Sequence, residues 1–334
     1  MILPNSKNFC GGNFQDWLEV NLIDKCNGSC SWCVEKNGFH PRNHASWHVL
    51  ADRIIESGKK NVILLGGEPT LYLDLGNLVM TLKMAKINVF ITTNGSMLSR
   101  DFILEHLRHL NGINISIHHH NLDKNKEITG IKLDWSKLKL AIIALRVLEI
   151  PVRFNCNCID KYIDSADEMA EYIDWAKDFG VNSIRFAELK LDDENFVDLA
   201  KILRHQHGLN DDPFVLGCHQ DTVINGMPVN FRQMCGLQTK KRPQHQDVKQ
   251  YLKQVLYYDG IIYDGWQTQK DELMNKKPVM AAKDVLKIAD ILQRVKNNEL
   301  KVEEGILEIE QIYVDNIKEN VPSDISVGSG GCQY

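Results

Sequence analysis

Apolar runs and amphipathic segments alternate over the first two thirds of the chain. Continuous apolar runs predict buried β-strands at 17–23, 61–67, 88–94, 113–119, 152–159 and 183–189. Apolar residues at helical spacing predict helices at 45–57, 76–86, 100–110, 133–149, 165–180 and 194–206. Six successive strand–helix units favour a parallel sheet, open or curled into a partial barrel, with functional groups at the carboxyl ends of its strands.

The pattern changes after about residue 210, where two hairpins are predicted at 221–233 and 253–266 and two helices at 281–297 and 302–318. We expect an N-terminal segment (1–16), a core barrel (17–208), a hairpin and helix region (209–320) and a glycine-rich tail (321–334). The tail is expected either to be disordered or to enter the active site. The expected fold class is therefore α/β, a partial (β/α)6 TIM-like barrel with a C-terminal hairpin-plus-helix extension.

Composition and charge exclude several classes of protein. Hydrophobic residues make up 43% and charged residues 25%, which is an ordinary globular composition. The net charge is −5 and no basic stripe is present, so we expect no nucleic-acid partner. No apolar run reaches about 18 residues and no signal peptide is recognisable, so we expect a cytoplasmic protein without a membrane partner.

Three of the nine cysteines lie within eight residues, directly after the first predicted strand. Cys26, Cys30 and Cys33 have the spacing C-x3-C-x2-C. Thiolates are the protein ligands of iron–sulfur clusters, and three of them leave one iron of a cubane open. The alternatives are inert buried thiols or a zinc site with a fourth ligand from His40, His44 or His48.

Two further motifs follow the next two predicted strands. Gly66-Gly67-Glu68-Pro69 closes the second strand and Thr93-Asn94-Gly95 closes the third. Together with the cysteine loop and its aromatic Trp32, these motifs resemble the signature of the radical S-adenosylmethionine (SAM) superfamily. The resemblance covers residues 17–190 and includes the order of strands and helices.

The resemblance implies a mechanism and a set of cofactors. A 4Fe–4S cluster is held by Cys26, Cys30 and Cys33, and SAM binds its fourth iron. An electron donor such as flavodoxin or ferredoxin reduces the cluster, SAM is cleaved to a 5′-deoxyadenosyl radical, and this radical takes a hydrogen atom from the substrate. The residues implied in SAM binding are Gly66, Gly67, Glu68, Pro69, Asn94, Ser116, Asn155, Asn157 and Ala187.

The residue types explain most of that set. Gly66 and Gly67 let backbone carbonyls approach the cationic amine of SAM, and Glu68 offers a carboxylate to it. Ser116 is a candidate for the ribose contact. His118 is a candidate catalytic residue that touches SAM or substrate or donates a proton, the alternative being an exposed strand-end cluster. Because adjacent strand residues point to opposite faces, His119 is not expected to share a metal ion with its neighbours.

Alternation along the fifth strand separates polar residues from cysteines. Arg153, Asn155 and Asn157 share one face, whereas Cys156 and Cys158 share the other. Polar groups that face the inside of a barrel need partners, so the asparagines are expected to bind SAM or substrate. The opposite register would turn the cysteines inward instead.

The remaining cysteines raise the question of a second cluster. The predicted hairpin at 255–263 weakly resembles the SPASM and twitch domains of this superfamily, which bind auxiliary iron–sulfur clusters. Cys218, Cys235 and Cys332 are the candidate auxiliary ligands. No cysteine follows shortly after the hairpin turn, so a degenerate domain without metal is the alternative.

Three functions are consistent with these observations. The first is hydrogen-atom abstraction from a small polar or nucleotide-like molecule. The second is a peptide-modifying maturase with an auxiliary cluster. The third is a non-catalytic iron–sulfur or zinc scaffold, which would have no use for Glu68 as an acceptor for the SAM amine.

Overall fold

The computed structural model describes residues 16–189, 194–207, 219–233, 254–266, 282–297 and 299–312 without 303, 305 and 310. The chain divides into two compact units, residues 1–269 and 270–334. The first unit contains one ten-stranded sheet. In the second unit, Arg294 and Glu308 form an ion pair at 3.3 Å. Among the helices described, none is long and apolar enough to cross a bilayer.

Ten strands form the sheet in the order β10-β9-β1-β2-β3-β4-β5-β6-β8-β7. Their bounds are β1 Trp17–Asn21, β2 Asn61–Leu65, β3 Asn88–Thr93, β4 Gly112–Ser116, β5 Val152–Asn157, β6 Ser183–Ala187, β7 His219–Ile224, β8 Met227–Arg232, β9 Gln254–Tyr257 and β10 Ile262–Asp264. Strands β1 to β6 are parallel neighbours in chain order. The order ends at β10 and β7, so within the described residues the sheet is a partial barrel that does not close.

Helices follow most of the parallel strands. Their bounds are α1 Trp47–Glu56, α2 Leu75–Met84, α3 Arg100–Phe102, α4 Leu122–Thr129, α5 Trp135–Val147, α6 Ala166–Phe179, α7 Leu199–His207 and α8 Ala282–Lys296. A π-helical turn, Ile103–Leu107, continues α3. Side-chain oxygens cap five of these helices at Ser46, Ser99, Asn121, Asp134 and Ser165.

The six predicted βα units are present, and so is the partial barrel. Both hairpins are also confirmed, and the Asn225-Gly226 turn has positive φ at both residues. Each hairpin adds two strands to an edge of the barrel sheet: β9 lies parallel to β1, and β8 lies parallel to β6. Both hairpins lie in the first compact unit, and the hairpin and helix region at 209–320 stays a prediction.

The two faces of the sheet differ in chemistry. One face packs against the helices and is almost wholly apolar, with Leu18, Val62, Ile91, Ile113 and Phe154 fully buried in the main core. On β5, buried and half-buried residues alternate, and the half-buried positions are polar. The strands are therefore not apolar on both sides, because the inner face of the partial barrel carries polar groups.

Candidate active site

The cysteine loop leaves β1 at the carboxyl end of the sheet. Cys26 is exposed, and Cys30 and Cys33 are half-buried. The backbone N–H of Gly28 donates to Cys26 Sγ at 3.3 Å. The loop therefore presents three thiols at the edge where functional groups of parallel sheets collect.

The Gly66-Gly67 pair packs directly on the chain that enters this loop. Gly67 N–H donates to Ile23 O at 2.6 Å, and Glu68 N–H donates to Lys25 O at 2.8 Å. A Cβ on Gly66 would lie 2.6 Å from Ile23 O, and one on Gly67 would lie 2.3 Å from Lys25 O. Close packing against the backbone before Cys26 thus requires both glycines. The sequence suggests another reason for them, which is that they let backbone carbonyls approach SAM.

Glu68 is buried and its carboxylate already accepts four hydrogen bonds. Oε1 accepts from the Thr70 backbone and hydroxyl and from the Thr93 hydroxyl, and Oε2 accepts from Asn94 N–H at 2.8 Å. The side chain is 1% exposed. Its observed role is to join the turn after β2, where it caps the short helix that begins at Pro69, to the turn after β3. The contact of this carboxylate with the SAM amine stays a prediction.

Asn94 extends this connection to the cysteine loop. Its Nδ2 donates to Asn27 Oδ1 at 2.8 Å, and Asn27 Nδ2 donates to Ser96 Oγ at 2.8 Å. Burial raises the pKa of Cys26, whereas the Gly28 N–H and, to a smaller extent, the Asn94 side chain lower it. Asn94 therefore contacts the loop that carries the first cysteine, through Asn27 and Ser96, two residues that the sequence motifs do not single out.

A second contact holds the other side of the loop. Ser29 N–H donates to Thr129 O at 2.7 Å, at the end of α4. Gly130 follows with φ +72°, and a Cβ there would lie 2.0 Å from Ser29 Oγ. The loop is thus fixed between the turn after β3 and the end of α4, a helix that the sequence analysis did not predict.

His118 lies just beyond β4 and is 6% exposed. Its Nδ1 accepts from Asn157 N–H at 3.0 Å, and its ring stands edge-on to Trp32 with centroids 5.5 Å apart. Burial lowers the pKa of His118 to about 4, so the ring is neutral near pH 7 and keeps its hydrogen on Nε2. This geometry makes His118 a neutral hydrogen-bond donor, and its catalytic role stays a prediction.

A row of polar residues crosses the inner face of the sheet. Ser116, Asn155, Arg185 and Asn230 occupy paired positions on β4, β5, β6 and β8, so their side chains share one face. The predicted register of β5 is observed, since Cys156 and Cys158 are fully buried on the helix side. Two residues nearer the carboxyl edge than the Asn155–Arg185 pair, Asn157 pairs with Ala187. Ala187 O accepts from Cys158 N–H at 2.8 Å.

Three guanidinium groups gather on this inner face. Burial, together with the nearby charge of Arg232, lowers the pKa of Arg153 to about 10, and Asp221 acts in the opposite direction. Burial and the two other arginines lower the pKa of Arg185, whose Nε donates to Asn230 Oδ1 at 2.8 Å. Arg232 Nε is buried and has no hydrogen-bond partner among the described residues. The cluster can therefore bind an anion.

The donor set of the cysteine loop fits an iron–sulfur cluster better than zinc. Burial and the neighbouring thiols Cys33 and Cys26 raise the pKa of Cys30 to about 11, so its thiolate needs a positively charged partner. Sulfurs that share one zinc ion at about 2.3 Å lie within about 4.6 Å of one another. The three sulfurs here are not all within 4.8 Å of one another. The candidate auxiliary ligands Cys218, Cys235 and Cys332 lie outside the described residues.

Comparison with protein families decides the classification. The family model described as Radical SAM superfamily matches residues 20–175, which include the three cysteines, the Gly66–Pro69 turn and strands β4 and β5. Residues 20–175 therefore form a radical SAM domain. Members of the radical SAM superfamily bind SAM and an iron–sulfur cluster, and the three cysteines are the described residues of this domain that fit such a cluster.

Curated relatives of this chain include proteins of cofactor biosynthesis. It is 27% identical over 202 residues to "GTP 3',8-cyclase, mitochondrial" of Arabidopsis thaliana, covering 58% of this chain and 50% of the relative. It is 30% identical over 182 residues to "Probable GTP 3',8-cyclase" of Saccharolobus solfataricus, covering 52% and 56%. The chain thus spans about half the length of these relatives.

Solved structures share the fold of this chain at low identity. Streptococcus suis SuiB bound to S-adenosylmethionine has a TM-score of 0.54 and 18% identity, covering 75% of this chain and 58% of SuiB. The structure titled anSMEcpe with bound AdoMet and Cp18Cys peptide has a TM-score of 0.52 and 14% identity, covering 78% and 80%. These likenesses support the fold.

The close packing of Gly67 on Lys25 leads to a test of the loop. Gly67→Ala should lower the free energy of unfolding by about 1–3 kcal/mol, because the new methyl group has no room. It should also lower the iron bound after anaerobic reconstitution, since the displaced backbone leads directly into Cys26. Denaturant unfolding and an iron assay measure the two effects.

Gly58→Ala is the matched control for this test. Gly58 has φ +68° and no atom within 4 Å of an added Cβ, so the substitution should cost about 1 kcal/mol through backbone strain alone. Its iron content should equal that of the parent. Equal iron content in the two alanine variants would show that Gly67 does not support the cysteine loop.

Proposed function

We propose that the chain cleaves SAM reductively and abstracts a hydrogen atom from a small, anionic, nucleotide-like substrate bound on the inner face of the barrel. Cys26, Cys30 and Cys33 would hold a 4Fe–4S cluster. When bound and reduced, the cluster supplies the electron that converts SAM to a 5′-deoxyadenosyl radical. The row of inward-facing polar groups beside the cysteine loop carries the proposal.

The described residues would position SAM in distinct ways. The backbone of the Gly66–Pro69 turn would face the amine, while the Glu68 carboxylate fixes that turn to the turn after β3. Asn94, Ser116, Asn155, Asn157 and Ala187 stand along the carboxyl edge of β3 to β6, where the ribose and adenine would lie. The neutral His118 would donate through Nε2 and hold Asn157 in place through Nδ1.

The charge of the inner face supports an anionic substrate. The charge of Arg232 lowers the pKa of Arg153, and the charges of Arg153 and Arg232 lower the pKa of Arg185, so an anion that bridges the three groups would relieve this repulsion. Guanidinium groups bind phosphate and carboxylate oxygens in pairs. Several relatives carry the name GTP 3',8-cyclase, which is consistent with a nucleoside triphosphate as the anion.

The peptide-modifying alternative differs from this proposal in its metal content. It needs an auxiliary cluster, for which Cys218, Cys235 and Cys332 are the candidates. About four irons per chain after reconstitution would support a single cluster, and about eight would favour the maturase. We infer an electron donor of the flavodoxin or ferredoxin type in either case.

Arg232 is the residue on which the substrate class is best tested. Nucleoside triphosphates are the probes, and the reaction is run under anaerobic, dithionite-reduced conditions. The nucleotide that binds should increase the rate of 5′-deoxyadenosine formation above the rate without nucleotide. Arg232→Met should raise the apparent KM for that nucleotide by about 10- to 100-fold, because one charge-assisted contact is lost. Mass spectrometry of 5′-deoxyadenosine and methionine gives the measurement.

Arg53→Met is the matched control, since Arg53 lies on α1 in an exposed pair with Glu56. Its KM should equal that of the parent. If nucleoside triphosphates leave 5′-deoxyadenosine formation unchanged, or if Arg232→Met and Arg53→Met behave alike, the anionic substrate is wrong. If reduced, cluster-loaded protein forms no 5′-deoxyadenosine with any probe, the scaffold function replaces the enzyme.

A further inference from the structure

A second group of convergent side chains lies between the end of β4 and the start of α6. His119 and His120 follow the end of β4, and Glu168 stands in the first turn of α6. Their candidate ligand atoms all lie within 4.8 Å of one another, the one such set among the described histidine, cysteine and acidic residues. His119 is fully buried.

Each of the three residues has a buried polar atom without a hydrogen-bond partner among the described residues. The atoms are His119 Nε2, His120 Nδ1 and Glu168 Oε2. His119 Nε2 and Glu168 Oε2 are 3.8 Å apart, which is too long for a hydrogen bond. Buried polar atoms are normally satisfied, so three of them together indicate a bound group.

Glu168 departs from the local role that its position predicts. Ser165 and Glu168 have the spacing of a capping box, in which the glutamate would turn back to the Ser165 backbone. Ser165 Oγ accepts from Glu168 N–H at 3.3 Å, so the serine half is formed. The Glu168 carboxylate instead lies beside His119. Among the described residues its Oε2 has no hydrogen-bond partner, so the bond from Ser165 N–H that would complete the capping box is not formed to this atom.

His120 has the surroundings of a metal-binding histidine. Its Nδ1 is the orphaned atom, and its Nε2 lies 3.5 Å from the Glu171 carboxylate. A ligating imidazole usually gives its other N–H to such a carboxylate. His119 differs, because Asn121 N–H donates to its Nδ1 at 2.9 Å and the ring hydrogen is then on Nε2. Coordination through His119 therefore requires the other tautomer and release of the Asn121 contact.

We propose that His119, His120 and Glu168 form a binding site for a divalent transition-metal ion of the zinc class, separate from the cysteine loop. Two imidazoles and one carboxylate suit zinc and leave its fourth position to water. The ion would join the end of β4 to the start of α6. In a strand, the adjacent residues His119 and His120 would point to opposite faces and could not share an ion. However, β4 ends at Ser116, before both histidines, and their rings lie with centroids 4.4 Å apart.

Zinc binding to the full chain with its cluster reconstituted tests the proposal. The parent should bind one zinc ion that Glu168→Gln and His120→Ala each bind at least about tenfold more weakly. Zinc-edge X-ray absorption of the parent should show nitrogen and oxygen neighbours at about 2.0–2.1 Å. Asp174→Asn on the same helix and His48→Ala are the controls, and both should bind zinc as the parent does.

Several outcomes would overturn the site. Equal zinc affinity in the parent and in Glu168→Gln would do so, as would a first shell of sulfur at about 2.3 Å, which would place the ion on cysteines. Glu168→Gln keeps the size of the side chain and the Ser165 cap, so it carries the test if His120→Ala does not fold. Cys30→Ala should lose the cluster and keep this zinc, which separates the site from the proposed function.

Discussion

Replacing Cys30 with alanine should reduce the iron of anaerobically reconstituted protein from about four atoms per chain to nearly none. The substitution leaves two thiolates, which cannot hold a cubane against loss of iron. Burial and the neighbouring thiols raise the pKa of Cys30 to about 11, so its thiolate persists at neutral pH only with a positive partner. Iron assay, visible absorbance and 5′-deoxyadenosine formation measure the loss.

Cys156→Ala is the control for the cysteine loop. Cys156 is fully buried on the helix side of β5, so its replacement should cost about 1 kcal/mol of stability and leave the iron content unchanged. If Cys30→Ala keeps its iron while Cys156→Ala loses it, the ligand assignment is reversed. Loss of iron in both would indicate unfolding, which circular dichroism would reveal.

Replacing Glu68 with alanine should lower the free energy of unfolding by about 3–5 kcal/mol. The change leaves the Thr70 and Asn94 backbone N–H groups and the Thr93 hydroxyl without their acceptor in a buried site. SAM cleavage should fall roughly 100-fold, which corresponds to about 3 kcal/mol of lost positioning. Denaturant unfolding and 5′-deoxyadenosine formation provide the two measurements.

The pattern across variants distinguishes two roles for Glu68. Glu68→Gln keeps one carbonyl acceptor, so its stability and activity should lie between those of the parent and Glu68→Ala. Glu56→Ala on the exposed face of α1 should change neither. A Glu68→Ala variant that is fully stable but inactive would contradict the positioning role and favour direct contact with SAM.

Strand positions could be predicted from the sequence, but their ends could not. The first six strands end two or three residues earlier than expected, or one in the case of β3. Leu22, Ile117 and Cys158 are almost fully buried although they lie beyond the last residue of a strand. The backbone N–H of each still donates to the neighbouring strand, so burial and pairing both continue past the last strand residue, and an apolar pattern does not mark where the strand ends.

The sequence predicts candidate residue types for the site but not the hydrogen bonds that connect them. The spacing of the cysteines and the two glycine motifs placed three loops at one edge of the sheet. The bonds from Thr93 and Asn94 to Glu68 join residues about 25 positions apart, and no local pattern encodes such pairs. Helix α4 was missed, although Asn121 and Gly130 are its cap and its left-handed end.

Strand β1 leads into the cysteine loop, and its partner β9 lies more than 230 residues further along the chain, since Glu19 pairs with Val255. During synthesis one edge of β1 therefore lacks its neighbour until residues 254–257 have left the ribosome. An unpaired edge beside three thiols is prone to join other chains. Nascent or truncated chains that stop before residue 254 should thus aggregate more readily than chains that include β9.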